Sequence, residues 1–140
     1  MVDVRIQLAA ERILAKGNRR IGVLGMSFKA GTDDLRESPM VTLIEHLIGR
    51  GMELAIYDKN VSKAQLMGAN KEYIEGEIPH IWSLMRDNVD EVVEHGETIV
   101  VAHKNPEFEA ALARSRPDQV VVDLVRIPFE GEAEYDGLCW

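Results

Sequence analysis

With 140 residues, 46% of them hydrophobic and 29% charged, the chain has the size and make-up of one globular domain that buries roughly two thirds of its unfolded surface. A formal charge of -8 excludes a general nucleic-acid or anionic-membrane surface, which needs a basic footprint, but leaves room for a local basic site that holds a phosphate. The single cysteine, Cys139, excludes an intrachain disulfide framework and points to a reducing compartment; no apolar run has membrane-spanning length, and Met1 to Arg5 is not a signal-peptide pattern, so a cytoplasmic domain is expected.

Ile6, Ala9, Ala10, Ile13 and Leu14 recur at helical spacing and predict a helix from about Asp3 to Lys16, stopped at Gly17-Asn18. Ile21 to Gly25 reads as a buried strand, followed by a polar loop from Ser27 to Glu37. Ser38-Pro39 starts the next helix, since serine caps the first N–H groups and proline suits the first helical position. Met40, Leu43, Ile44, Leu47 and Ile48 give that helix a broad apolar face. Glu53 to Tyr57 is the second strand, ending at Asp58. Ser62-Lys63-Ala64-Gln65 has the pattern of a capping box, and Gly68 to Pro79 carries no clear period. Val89 to His95 reads as a helix and Thr98 to Ala102 as a third strand. Asn105-Pro106 repeats the cap-plus-proline start, and Val120 to Leu124 is the fourth strand. The tail after Pro128 is expected to be acidic and irregular up to Gly137, with Glu130, Glu132 and Glu134 on a solvated face.

Strands that are apolar throughout and separated by helices imply a mainly parallel sheet covered on both faces, a Rossmann-like, doubly wound α/β fold. Such sheets bind ligands beyond the carboxyl ends of their strands, near the switch point in strand order. The densest polar segment, Gly25 to Pro39, stands at that edge. It is neither a G-x-G-x-x-G nor a Walker loop. It does place two cations, Lys29 and Arg36, beside a helix start, a setting that favours an anion such as phosphate. Asp33, Asp34 and Glu37 could instead pair with those cations and stiffen the loop, and physics alone leaves both readings open.

The run Ser27-Phe28-Lys29-Ala30-Gly31-Thr32-Asp33-Asp34-Leu35-Arg36-Glu37-Ser38-Pro39 resembles the signature of the carboxyl-terminal domain of the UDP-glucose/GDP-mannose 6-dehydrogenase family. Ile56-Tyr57-Asp58, Gly68 to Ile74, Ile78-Pro79-His80, Val122 to Val125 and Cys139-Trp140 extend the resemblance, the later segments towards the GDP-mannose branch. Asp123-Leu124-Val125-Arg126 also departs from the Asp-Gly-Arg usual in the UDP-glucose branch. The resemblance implies residues 1–19 as the end of an inter-domain linking helix and 20–140 as a nucleotide-sugar-binding domain. It implies an NAD-dependent parent enzyme that oxidises a sugar C6 alcohol to the carboxylate through a cysteine-bound intermediate. Lys29 matches a lysine that contacts the nucleotide-sugar, with Phe28 packing near the nucleotide, and Arg36 matches an arginine that reaches towards NAD.

The glycine fingerprint of an NAD fold and the segment carrying the catalytic cysteine do not occur in these residues, so no catalytic residue is assigned and the isolated domain is expected to be inactive. Cys139 reads as an unreactive thiol. The expected partners are a nucleotide-sugar, with GDP-mannose favoured, the remaining domains of the parent enzyme, and further copies in a homodimer or higher homo-oligomer; neither nucleic acid nor membrane is expected. A UDP-glucose or other UDP-sugar 6-dehydrogenase domain is the nearest alternative, and a free-standing Rossmann-like interaction module is the alternative of another class.

Asp58 occupies the place of a ribose-binding acid, but without the glycine fingerprint a strand-end turn cap is the stronger reading. His103 and Lys104 follow the third strand and are candidates for nucleotide contact at the ligand edge; Arg126 is a candidate through the resemblance alone, whose Asp-Gly-Arg arginine contacts the nucleotide, whereas here the glycine is missing and the arginine stands one place later. His46, His80 and His95 are scattered, no spacing suits a metal, and Trp82 and Trp140 read as core or interface residues.

Overall fold

A computed structural model describes residues 4–26, 39–58 and 79–137. In chain order the elements are α1 (Val4–Ala15), β1 (Arg20–Leu24), α2 (Pro39–Gly49), β2 (Glu53–Tyr57), α3 (Pro79–Trp82), α4 (Val89–His95), β3 (Thr98–Val101), α5 (Pro106–Leu112), β4 (Val120–Asp123) and β5 (Glu134–Gly137). Every ladder between these strands is parallel, and the sheet order is β2-β1-β3-β4-β5. All strand carboxyl ends therefore share one edge. The chain leaves β1 for β2 on one side and returns to β3 on the other, which puts the switch point between β1 and β3.

Alternation along the strands divides the core into two layers. Ile21, Val23, Ile56, Val100 and Val122 face α1 and α2, whose Ile13, Leu43, Ile44 and Leu47 are fully buried. Leu24, Tyr57, Ile99, Val101 and Val121 face α4 and α5, which bring Val92, Phe108 and Leu112. Burying each such side chain contributes about 1.5–3 kcal/mol. Gly22 falls on the second face, where a β-carbon would lie 2.5 Å from the Val92 carbonyl oxygen. The absent side chain lets α4 approach β1 closely.

The apolar strands and the helices around them follow the sequence reading closely, and Asn88 and Asn105 cap α4 and α5 by accepting the N–H of Asp90 and Glu107 at 2.8 Å. The exception is the tail. Residues expected to be irregular form β5, paired with β4 from Val120↔Glu134 to Asp123↔Gly137. This Glu-Tyr-Asp-Gly segment has no apolar pattern because it is an edge strand, held by backbone pairing and by charges from α1. Arg12 Nη1 lies 2.8 Å from Asp136 Oδ1 and Lys16 Nζ lies 2.8 Å from Asp136 Oδ2. The β4–β5 connection takes the place of a covering helix, with Ile127 and Ala133 buried in the second layer. At the opposite side, the segment after α3 covers β2: Ile56 N–H donates to Leu84 O at 3.0 Å and Arg86 N–H to Ile56 O at 2.8 Å.

Candidate functional site

The carboxyl edge begins where β1 ends. Gly25 N–H donates to Tyr57 O at 2.9 Å, and Gly25 turns with φ of 99°. A β-carbon there would lie 2.9 Å from Cγ and Nδ1 of His103, so the imidazole packs directly on the glycine backbone. Met26 N–H then donates to Asp58 Oδ2 at 2.8 Å in a buried site. A hydrogen bond to a buried carboxylate contributes roughly 1.5–3 kcal/mol. Asp58 thus ties the start of the loop after β1 to the end of β2, in keeping with the turn-cap reading. Phe28, Lys29 and Arg36 lie outside the described residues, as does the Ser62 capping box.

After β3, Ala102 N–H donates to Leu24 O at 2.9 Å, followed by half-buried His103 and exposed Lys104. After β4 the decisive group is Asp123, which is fully buried. Its Oδ1 accepts the Val125 N–H at 2.9 Å, and its Oδ2 accepts the Ile127 N–H at 2.7 Å and the Tyr135 hydroxyl at 2.6 Å. Arg126 stands between the two clamped amides with φ of 59°, alone among the described non-glycine residues in having a positive φ. A side-chain-bearing residue in this region costs about 1–3 kcal/mol. Leu124 N–H donates to Val101 O at 3.0 Å, so residues after β4 run alongside those after β3. The fold therefore gathers His103, Lys104 and Arg126 at one edge.

Two further groups shape this end. The Tyr57 ring meets Phe108 edge-on, with centroids 6.1 Å apart. Burial, reinforced by the Glu107 carboxylate, pushes the Tyr57 hydroxyl well above its usual range, so it stays protonated. Asp123 and Tyr135 escaped the sequence reading as site residues. The available signal was an aspartate inside the apolar run Val120 to Leu124, since a buried carboxylate demands donors. Among the described residues, no cluster of histidine, cysteine and carboxylate side chains has the form of a metal site, and no helix is long and apolar enough to cross a membrane. His46 is exposed, His80 lies 3.9 Å from Glu45, and His95 Nε2 is 3.0 Å from Glu53 O.

Residues 22–128 match the family model described as UDP-glucose/GDP-mannose dehydrogenase family, UDP binding domain. The chain belongs to this family. It corresponds to the carboxyl-terminal domain of UDP-glucose/GDP-mannose dehydrogenases. The GDP-mannose 6-dehydrogenase of Pseudomonas putida is 45% identical over 141 residues, covering 99% of this chain and 32% of the relative. That of Azotobacter vinelandii is 44% identical over 138 residues, covering 97% of this chain and 31% of the relative. A crystal structure of a ternary complex of GDP-mannose dehydrogenase from Pseudomonas aeruginosa superposes with a TM-score of 0.87 at 46% identity, over 96% of this chain and 31% of that one. A UDP-glucose dehydrogenase from Pyrobaculum islandicum gives 0.73 at 25% identity, over 98% of this chain and 30% of that one. The chain thus spans about a third of the length of these dehydrogenases.

Proposed function

We propose that residues 20–140 bind a nucleotide-sugar, GDP-mannose, as one domain of an NAD-dependent 6-dehydrogenase, and that residues 1–19, which include α1, form the end of a helix linking this domain to the one before it. The observation that carries this reading is where β1 ends, immediately before the family's signature run in the sequence. That end stands at the switch point of a parallel sheet, in a chain 45% identical to the GDP-mannose 6-dehydrogenase of Pseudomonas putida. In this reading Lys29 pairs with the ligand's phosphates, Phe28 packs near the nucleotide, and Arg36 reaches towards NAD held by the rest of the enzyme. His103, Lys104 and Arg126 line the same edge. The parent enzyme oxidises the sugar C6 alcohol to the carboxylate in the cytoplasm, with the other domains and further copies of the chain as partners.

The Asp58 carboxylate, placed where dinucleotide-binding folds hold a ribose, accepts the Met26 N–H, and the His103 ring covers the Gly25 backbone. This supports assigning NAD chiefly to another domain, and no step of the reaction is assigned to this one. Its contribution is binding and orientation of the nucleotide-sugar.

Titration calorimetry with GDP-mannose, UDP-glucose and each Lys29→Ala counterpart tests the reading. GDP-mannose is expected to bind more tightly, and Lys29→Ala to weaken it about tenfold, as loss of one charge-assisted contact implies. Preference for UDP-glucose would favour the UDP-sugar branch, a reading helped by the matched family description and the Pyrobaculum likeness. Binding of neither sugar nucleotide would favour an interaction module instead.

A further inference from the structure

Three other described positions have a positive φ, and all are glycine: Gly17, Gly25 and Gly51. Where the fold needs only a left-handed turn, it uses the residue that makes the turn at least strain. At residue 126 the turn is made with arginine, and its strain is offset by Asp123, whose two oxygens hold the amides on either side. The third donor to Asp123 comes from β5. Tyr135 is 43% exposed, yet its ring stacks on Phe129 with centroids 5.3 Å apart, which fixes the direction of its hydroxyl. The clamp therefore holds a left-handed turn that carries an arginine side chain.

That side chain has a matched neighbour. Arg126 and Lys104 follow adjacent strands, both are exposed, and neither has an ion pair among the described residues. Arg12, Lys16, Arg19, Arg20, Arg114 and Arg116 each have one, while Arg50 and Arg86 also lack one, Arg86 donating instead to the Ser83 and Met85 carbonyls. A guanidinium offers paired N–H donors in a fork that fits phosphate oxygens, and an ammonium adds a point charge.

We propose that Asp123 and Tyr135 are positioning residues that hold Arg126 in its left-handed conformation and so present its guanidinium, beside Lys104, to a phosphate of a nucleoside diphosphate. This rests on the nucleotide-binding reading above. It adds that the edge strand β5, through one hydroxyl, sets the affinity of a site it does not line.

The test titrates the chain with GDP and with inorganic pyrophosphate, and follows thermal melting of each variant. Arg126→Ala is expected to weaken both ligands about tenfold, and Tyr135→Phe about threefold, because the first removes the contact and the second only loosens its support. In the Arg126→Ala background, Tyr135→Phe should weaken binding no further. Arg126→Gly should lose the same affinity while melting about 3 °C higher, since glycine relieves the strain. Tyr135→Phe avoids the folding risk of altering buried Asp123. Unchanged affinity in Arg126→Ala overturns the inference and leaves the nucleotide-binding reading standing. So does an equal Tyr135→Phe loss with and without Arg126, which marks general damage. A loss confined to GDP overturns the assignment to phosphate. A wild-type chain that binds neither ligand at millimolar concentration overturns the nucleotide-binding reading, and this inference with it.

Discussion

The two ends of the sheet handle charge in opposite ways. At the amino edge, opposite charges meet on the surface. Arg19 and Arg20 both lie 3.9 Å from the Glu53 carboxylate, and the Arg20 N–H donates to Glu97 Oε1 at 3.2 Å. The buried polar groups there are neutral, Thr98 and Gln119 among them, and the Gln119 amide donates to Val93 O and Gly96 O at 2.7 Å and accepts the Arg116 N–H at 2.7 Å. At the carboxyl edge the signs are separated by depth. Asp58 and Asp123 are buried and receive backbone N–H groups, while Lys104 and Arg126 are exposed. Two carboxylates are thus turned inward, where backbone amides satisfy them, and the exposed Lys104 and Arg126 share the rim with the exposed Glu107. Of the two inward carboxylates, Asp123 also shapes the turn that carries a cation, since it holds the amides on either side of Arg126.

Substitutions at each end should separate these roles. The largest effect is expected for Gly25→Ala, where a positive φ and contact with the His103 ring combine; urea unfolding should show a loss of about 3 kcal/mol. Asp58→Ala removes the acceptor of the Met26 N–H and should lose about 2 kcal/mol by the same measurement. A loss below ~0.5 kcal/mol would mean that the carboxyl edge is no more dependent on its buried acids than the amino edge is on its surface pairs.

Asp136 is intermediate, a partly buried pair on the side edge. The Lys16 ammonium, joined by Arg12 and opposed by burial, holds its carboxyl below the ordinary value of 3.8. A depressed carboxyl stabilises the fold fully above that value and loses the contribution as pH falls through the lowered one. Asp136→Asn should therefore lose about 1 kcal/mol at pH 7, with the gap to wild type closing below pH 3.8. A gap that persists unchanged into acid would show that the charge was not its source. Smallest of all, Arg20→Ala at the amino edge should change stability by less than about 0.5 kcal/mol in a thermal melt, because its partner is exposed and 3.9 Å away.

The contrast between the ends also explains what the amino-acid sequence revealed. Strands β1 to β4 were legible because a parallel strand buried on both faces must be apolar along its length, as Ile-Val-Val in Thr98–Val101 is. The starts of α2 and α5 were legible because Pro39 and Asn105-Pro106 act locally. β5 was hidden because its pairing is a backbone matter and its charges answer to Lys16 and Arg12, far away in the chain. For the candidate site, the places of His103 and Lys104 after β3 and of Arg126 after β4 were legible, but their adjacency came only with the pairing of β3 and β4. The left-handed Arg126 was not legible, since it depends on Tyr135 reaching Asp123 from a strand the pattern could not show.

The bond from Arg12 to Asp136 joins residues separated by 124 positions. A contact that closes so long a stretch gains nothing until the strands between are ordered, so it forms on the native side of the folding barrier. Removing it should quicken unfolding and leave the folding rate almost unchanged. Asp136 thus governs how long a folded molecule keeps its last strand, and with it the hydroxyl that steadies Arg126.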